Sequence, residues 1–396
     1  MSTREDAGTG PTKCTRTRCI RSPTTTAFSC PVRWQRRVKK RSSGSTPWAC
    51  TGSCGCRASS RSWGDCGAFD YIMEETPPYS TEDVLDYYTR LDFDMGVSVD
   101  HLIVTATEAQ KQFRYDLTIH NAEDFLKQHR AAGLKWEPIG SVQGWDPKSY
   151  AEAARQYVAM GYKRIALGGL VRTRNGGIFD ILEEIRGTIP ESTDIHIFGV
   201  ARLDALPVFS SLGVTSVDSA SSLRMAWMRT TNSYLTEEGP YAALRIPEAG
   251  KSFRAKRMRE HPELSESRIQ ELERNALDSV RAYGDRGCSL DTCVEALLEY
   301  DQYVTSERID MESHYRHTLE QRPWERCTCA VCQKWGIEVA IFRGNNRNRR
   351  RGFHNTCIYY RQLQDVLQGK DVMLPNGKMT DYACPKQPLL FDDRGE

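Results

Sequence analysis

Between positions 64 and 236, short apolar runs alternate with stretches whose apolar residues recur every three or four positions. The runs predict β-strands over 93–100, 137–144, 164–170, 194–200 and 214–218. The periodic stretches predict helices over 81–91, with Ser80 or Thr81 as cap, and over 121–132, 147–160, 178–186 and 203–212. Strand and helix alternating through short connections require parallel strands joined by crossover helices. A doubly wound sheet and a TIM barrel both meet that requirement. Polar side chains help to choose, because Asp100, Gln143, Gly168-Gly169 and Asp218 fall at the C-terminal ends of separate strands. In a barrel those ends converge on one mouth, where the active site lies. A Rossmann fold would open on a glycine fingerprint after its first strand, and none stands there. The expected fold class is therefore α/β, a TIM (β/α)8-type barrel, with its active site in 63–236.

Beyond 236 the rhythm breaks. Residues 237–322 read as a helical, charged insertion with a basic run at Lys251, Arg254, Lys256, Arg257 and Arg259, then an amphipathic helix over 290–304. Residues 323–396 read as a zinc subdomain together with the last part of the barrel. Cys327, Cys329 and Cys332 form Cys-x-Cys-x-x-Cys, and His354 follows after 21 intervening residues. Three thiolates and one imidazole fill a tetrahedral Zn2+ shell and leave no position open for water, so the predicted metal is structural. Within this motif come a strand-like 337–342 and a loop carrying Arg343, Arg347, Arg349, Arg350 and Arg351, read as a phosphate clamp. A helix over 358–367 and a Pro-rich tail complete the chain.

Charge and composition change the picture chiefly at the N-terminus. The 396-residue chain has a net charge of +2, yet residues 1–62 alone hold 13 Lys or Arg against Glu5 and Asp6. That stretch contains no Leu, and the first leucine is Leu85. It cannot bury enough apolar surface to offset its conformational entropy, so it is expected to be disordered or the product of a reading-frame error upstream of Trp63. The 14 cysteines accompany no export signal, three belong to the zinc motif, and a chain of this length needs no disulfide staples. A reducing cytoplasm is the expected compartment. No apolar run reaches the length of a membrane span.

The Cys-x-Cys-x-x-Cys and His354-Asn355 pattern resembles the zinc site of the tRNA-guanine transglycosylase family. Further segments resemble that family in order: Gly64-Asp65-Cys66-Gly67-Ala68-Phe69, Val99-Asp100, Ser141-Val142-Gln143-Gly144, Leu167-Gly168-Gly169-Leu170, and Gly213-Val214-Thr215-Ser216-Val217-Asp218. The resemblance covers roughly 64–235 and 323–370 and implies a barrel enzyme that releases guanine and installs a 7-deazaguanine base. It implies Asp218 as nucleophile, while Asp65 is the candidate proton carrier. Asp100 would accept from the base's ring N–H and amine, with Gln143 and the backbone around Gly168, Gly169 and Leu170 addressing its carbonyl. His101 and His196 are read as structural.

Cys327 lies 109 positions after Asp218, a longer connection than the common bacterial tRNA enzymes use. The phrases around Asp65 and Asp100 look more like the DNA-acting branch, the DpdA type. That likeness implies DNA as substrate, with Arg254, Lys256 and Arg257 approaching the duplex, 7-cyano-7-deazaguanine as incoming base, and partner proteins of a DNA-modification system. The alternatives are a tRNA-guanine transglycosylase and a non-catalytic nucleic-acid-binding barrel. Three carboxylates at one mouth argue against the last. The family's tRNA members are often dimers, which leaves a homodimer open.

Overall fold

The computed structural model describes residues 29–31, 61–104, 106–250, 256, 260–262, 264–304 and 310–382. Most of the expected disordered or mistranslated stretch, together with Arg254 and Arg257, lies outside the described residues. The chain divides into two compact units: Met1–Ala201 with Ala205–Ser219, and Arg202–Asp204 with Ala220–Glu396.

The first unit is built on one parallel sheet. Its strands are β1 (Ser29–Pro31), β2 (Trp63–Asp65), β3 (Met95–Val97), β4 (Glu137–Val142), β5 (Arg164–Leu167), β6 (Asp194–Ile197) and β7 (Val214–Val217), paired in that order. A doubly wound sheet reverses direction at a switch point. Here each strand is added beside the previous one, the order that barrels use, and the sheet has seven strands among the described residues. β1 supplies a strand ahead of β2 from a stretch whose sequence showed no strand-like pattern. Its Pro31, which has no N–H to give a ladder, stands in an edge strand.

The connecting helices are α1 (Thr81–Arg90), α2 (Glu108–Ala131), α3 (Pro147–Met160), α4 (Asn175–Arg186) and α5 (Leu206–Ser211). α3 shows how locally they are specified. Asp146 accepts from the Ser149 N–H at 2.7 Å, Pro147 opens the first turn, and Gly161 at φ 101° stops the helix. α2 begins at Glu108, thirteen positions before the expected start at 121. The two faces of the sheet differ. Trp63, Met95, Val97, Ile139 and Ala166, with Phe198, form a cluster containing no helix residue. Val84, Leu85, Tyr88 and Phe125 of the helices pack with Phe93 and Val99 in a separate cluster.

The second unit opens with α6 (Ser221–Met228) and β8 (Tyr234–Leu235), which pairs antiparallel with β9 (Pro240–Tyr241). β10 (Leu244–Arg245) pairs parallel with β11 (Ile341–Phe342). Between them lie α7 (Glu266–Gly284), α8 (Leu290–Val304), α9 (Glu312–Gln321), α10 (Pro323–Arg326) and α11 (Ala330–Trp335), and after them α12 (Asn345–Leu367). Two expectations are corrected here. The stretch 337–342 is a 3-10 turn, Gly336–Val339, followed by a two-residue strand. The arginine-bearing 343–351 is mostly the first two turns of α12 rather than a loop. Among the described residues no helix is long and apolar enough to cross a membrane.

Candidate active site and metal centre

Every strand-end residue singled out from sequence lies at the C-terminal edge of the sheet, just past its strand: Asp100 after β3, Gln143 after β4, Gly168-Gly169 after β5 and Asp218 after β7; Asp65, reached through the resemblance, ends β2. Asp100 is buried and both of its oxygens are engaged. Cys66 Sγ donates to Oδ1 at 2.9 Å and Gln143 Nε2 donates to Oδ2 at 2.6 Å. Burial, then the Asp100 charge, pushes the Cys66 thiol well up, so it stays an S–H donor. Tyr71 braces the turn, its hydroxyl donating to the Asp100 carbonyl at 2.7 Å.

Gln143 is locked between Asp100 and the glycine turn. A Cβ on Gly168 would stand 2.1 Å from Gln143 Nε2, and Gly169 sits at φ +79°. Tyr150 holds the turn by donating to the Gly168 carbonyl at 2.7 Å, and Leu170 is buried behind it. Because Nε2 must be the atom facing a carboxylate, the amide orientation is fixed, and buried Oε1 has no hydrogen-bond partner.

Asp218 is partly buried. Its Oδ1 accepts from the Gly199 N–H at 2.6 Å, and His196 Nε2 stands 3.5 Å from the same oxygen. Asp65 has its pKa raised to about 7, by burial first and then by the negative charges of Asp100 and Asp218, against the opposing amide bonds from Gly67 and Cys66. The three carboxylates thus form one electrostatic group, and a carboxyl poised near 7 can both give and take a proton at neutral pH. His101 keeps its structural reading: its Nε2 lies 2.8 Å from the Glu74 carbonyl. Cys66, Tyr71, His196 and Ser216 were not picked out as functional. The signal for the first was adjacency to Asp65, and for Ser216 the strand parity it shares with Asp218, whereas His196 faces Asp218 only through the register shift between β6 and β7.

In the second unit, donor atoms of Cys327, Cys329, Cys332 and His354 all lie within 4.8 Å of one another. His354 Nδ1 is 3.6, 3.4 and 3.2 Å from the sulfurs of Cys327, Cys329 and Cys332. A zinc tetrahedron with bonds of roughly 2.0–2.3 Å has edges of roughly 3.3–3.8 Å, so the residues present fit the ion. The surroundings also fit. His354 Nε2 donates to the Leu235 carbonyl at 2.6 Å, which leaves Nδ1 for the metal. Backbone amides of Cys329 and Cys332 point at the sulfurs of Cys327 and Cys329. Asn355 bonds both Leu235 N–H and the Ser233 carbonyl at 3.0 Å, tying α12 to β8.

The arginines of α12 do not form a single phosphate-facing row. Arg351 is fully buried and donates to the carbonyls of Val339, Ile341 and Ala226, which corrects its reading as a phosphate contact. Arg343 pairs with Glu273 at 2.6 Å, Arg347 pairs with Glu338, and Arg350 stacks over Trp335 at 3.6 Å. Arg349 is exposed. Lys256 lies 3.7 Å from Glu260.

Residues 73–365 match the family model described as queuine tRNA-ribosyltransferase. The chain is also 36% identical over 317 residues to a DNA-guanine transglycosylase of Salmonella montevideo, covering 77% of this chain and 76% of that relative.

Proposed function

The chain belongs to the queuine tRNA-ribosyltransferase family, guanine-exchange glycosyltransferases, and on that premise we propose that it replaces guanine in DNA by a 7-deazaguanine base, 7-cyano-7-deazaguanine, through a covalent intermediate on Asp218. The observation that carries this reading is that Asp65, Asp100 and Asp218 all stand at C-terminal strand ends, of β2, β3 and β7, near enough for the charges of Asp100 and Asp218 to help raise the Asp65 pKa to about 7. Base exchange with retention at C1′ needs two displacements. In the first, an Asp218 carboxylate oxygen bonds to C1′, the C1′–N9 bond breaks, and the departing guanine takes the Asp65 proton. In the second, the incoming base gives its N9 proton to the Asp65 carboxylate and bonds to C1′, and the ester electrons return to Asp218.

Recognition follows from the Asp100 clamp. The N–H donors of a guanine-type edge compete with Gln143 Nε2 for Asp100, and the released amide then turns to the base carbonyl. The zinc, held by Cys327, Cys329, Cys332 and His354, would supply folding energy to the second unit and no chemistry to the reaction. Of the basic residues singled out from sequence that the structure describes, exposed Arg349 and Lys256 are the best candidates for backbone contacts.

DNA is favoured by the relative's activity, and tRNA is the second reading because the family description names it. Labelled-guanine exchange with duplex DNA and bulk tRNA in parallel decides between them. Label entering DNA, and lost in Asp218→Ala, supports the proposal. Label entering tRNA alone makes the chain a tRNA enzyme, and exchange undiminished in Asp218→Ala removes the assigned nucleophile.

A further inference from the structure

We propose that His196 is the positioning residue of the Asp218 carboxylate, orienting it for attack and receiving its charge when the glycosyl ester is resolved. The inference deepens the base-exchange reading and rests on it. His196 is on β6, its ring fully buried between Trp63, with centroids 4.5 Å apart, and Phe198, at 4.8 Å. Nδ1 lies 2.9 Å from Ser216 Oγ on β7. Nε2 makes no hydrogen bond, and faces Asp218 Oδ1 across 3.5 Å. A buried polar nitrogen left without a partner is destabilising, so one is kept only where something holds it there. The group that this nitrogen faces is the carboxylate assigned to attack the sugar.

The backbone has been adjusted to produce this pair. Ile195 is in register with Val214, but His196 is in register with Ser216, so β7 carries one extra residue, Thr215, at that step. A bulge of this kind reverses the facing of everything beyond it. Without it Ser216 and Asp218 would turn to the opposite side of the sheet from His196. With it the three share the inner face, His196 and Ser216 one layer beneath Asp218.

The contacts also select the tautomer. A bare Nε2 lone pair opposite a carboxylate oxygen would set two acceptors together. The consistent arrangement has the Ser216 hydroxyl donating to Nδ1 and Nε2–H directed at Asp218 Oδ1. Oδ1 then faces one bonded donor, the Gly199 amide at 2.6 Å, and a second, Nε2–H, that stands 3.5 Å away and can close on it. They hold the carboxylate plane before attack. When the second displacement breaks the C1′–O bond and returns the electron pair to Asp218, they receive the developing charge without reorganising.

The test compares wild type, Asp218→Ala, His196→Phe and His196→Gln in labelled-guanine exchange, with the fraction of denaturant-stable glycosyl-enzyme measured at steady state. Phenylalanine keeps the ring in the Trp63–Phe198 sandwich and removes the donor, and glutamine restores an N–H near the Nε2 position. The expected result for His196→Phe is a kcat about 10–100-fold lower, with the KM for the base within about twofold and a larger trapped fraction, because expulsion of the carboxylate slows. His196→Gln should recover most of that loss. Unchanged kcat in His196→Phe, or a loss expressed wholly in KM, overturns the inference while leaving base exchange intact. Undiminished exchange in Asp218→Ala fails the underlying reading instead. Should His196→Phe not fold, Ser216→Ala removes the tautomer-fixing hydroxyl, and the same kcat-only loss, about 3–10-fold, is required of it.

Discussion

The carboxyl of Asp65 carries the sharpest pH prediction. Its folded pKa of about 7 lies above the ordinary 3.8, so the folded state binds this proton more tightly than the unfolded state does. The stability of the fold therefore decreases as pH rises from about 4 to about 7, by on the order of 3 kcal/mol, and is level above that. Urea unfolding at pH 5 and pH 8 should show the difference in wild type and lose most of it in Asp65→Asn. Activity follows the same proton. The kcat/KM for exchange should fall about tenfold per pH unit above 7, and Asp65→Asn should lack that limb while being about 100-fold or more slower. A second residue-scale prediction concerns Gly168. The Cβ of Gly168→Ala would stand 2.1 Å from Gln143 Nε2, so the amide must leave Asp100, and the KM for the base should rise about tenfold or more. Asp100, Asp218 and the glycines were legible in sequence because each follows a strand, and Asp65 because its segment resembles that of the family. His196 and Cys66 were not, since a histidine inside an apolar run reads as core, and a thiol shows its donor role only when its acceptor is known.

At the scale of elements, legibility followed the agreement of local signals. α3 was expected over 147–160 and is found over Pro147–Met160, because Asp146, Pro147 and Gly161 mark both ends. α2 was caught only in its second half. Its first half buries Arg114 and Thr118, which bond the carbonyls of Leu102 and Arg114, so its inner face is polar and shows no apolar period. The start of α12 was hidden for a related reason: clustered arginines suggest a solvated loop, whereas Arg351 is wholly interior. Its guanidinium caps carbonyls of the 3-10 turn, β11 and α6, and Arg351→Met would remove this donor from all three. The expected cost is about 3 kcal/mol or more, read as a shift of the urea midpoint. Arg351→Lys should recover little of it, since one ammonium cannot reproduce the guanidinium fork.

For the molecule as a whole, sequence placed the end of the catalytic part at 236, while the compact units divide at Ser219–Ala220. The reason is α6. It packs along α12 where Gly352 permits close approach, a Cβ there lying 2.8 Å from Leu223 Cδ1, and it accepts from Arg351 through the Ala226 carbonyl. Such long-range partners leave no trace in a local pattern. The division has a consequence for the metal. All four proposed zinc donors, and the β8 backbone groups that orient His354 and Asn355, belong to the second unit, and all three carboxylates of the exchange site belong to the first. Structural zinc contributes its binding energy directly to folding. A strong chelator at neutral pH should therefore strip amide-exchange protection from β8, α11 and the first half of α12. The amides of β3 to β7 should retain theirs, and Cys332→Ala should reproduce the pattern without chelator. Equal loss of protection in both units would mean that the metal holds together the whole chain, and the zinc site could then no longer be described as a staple local to its own unit.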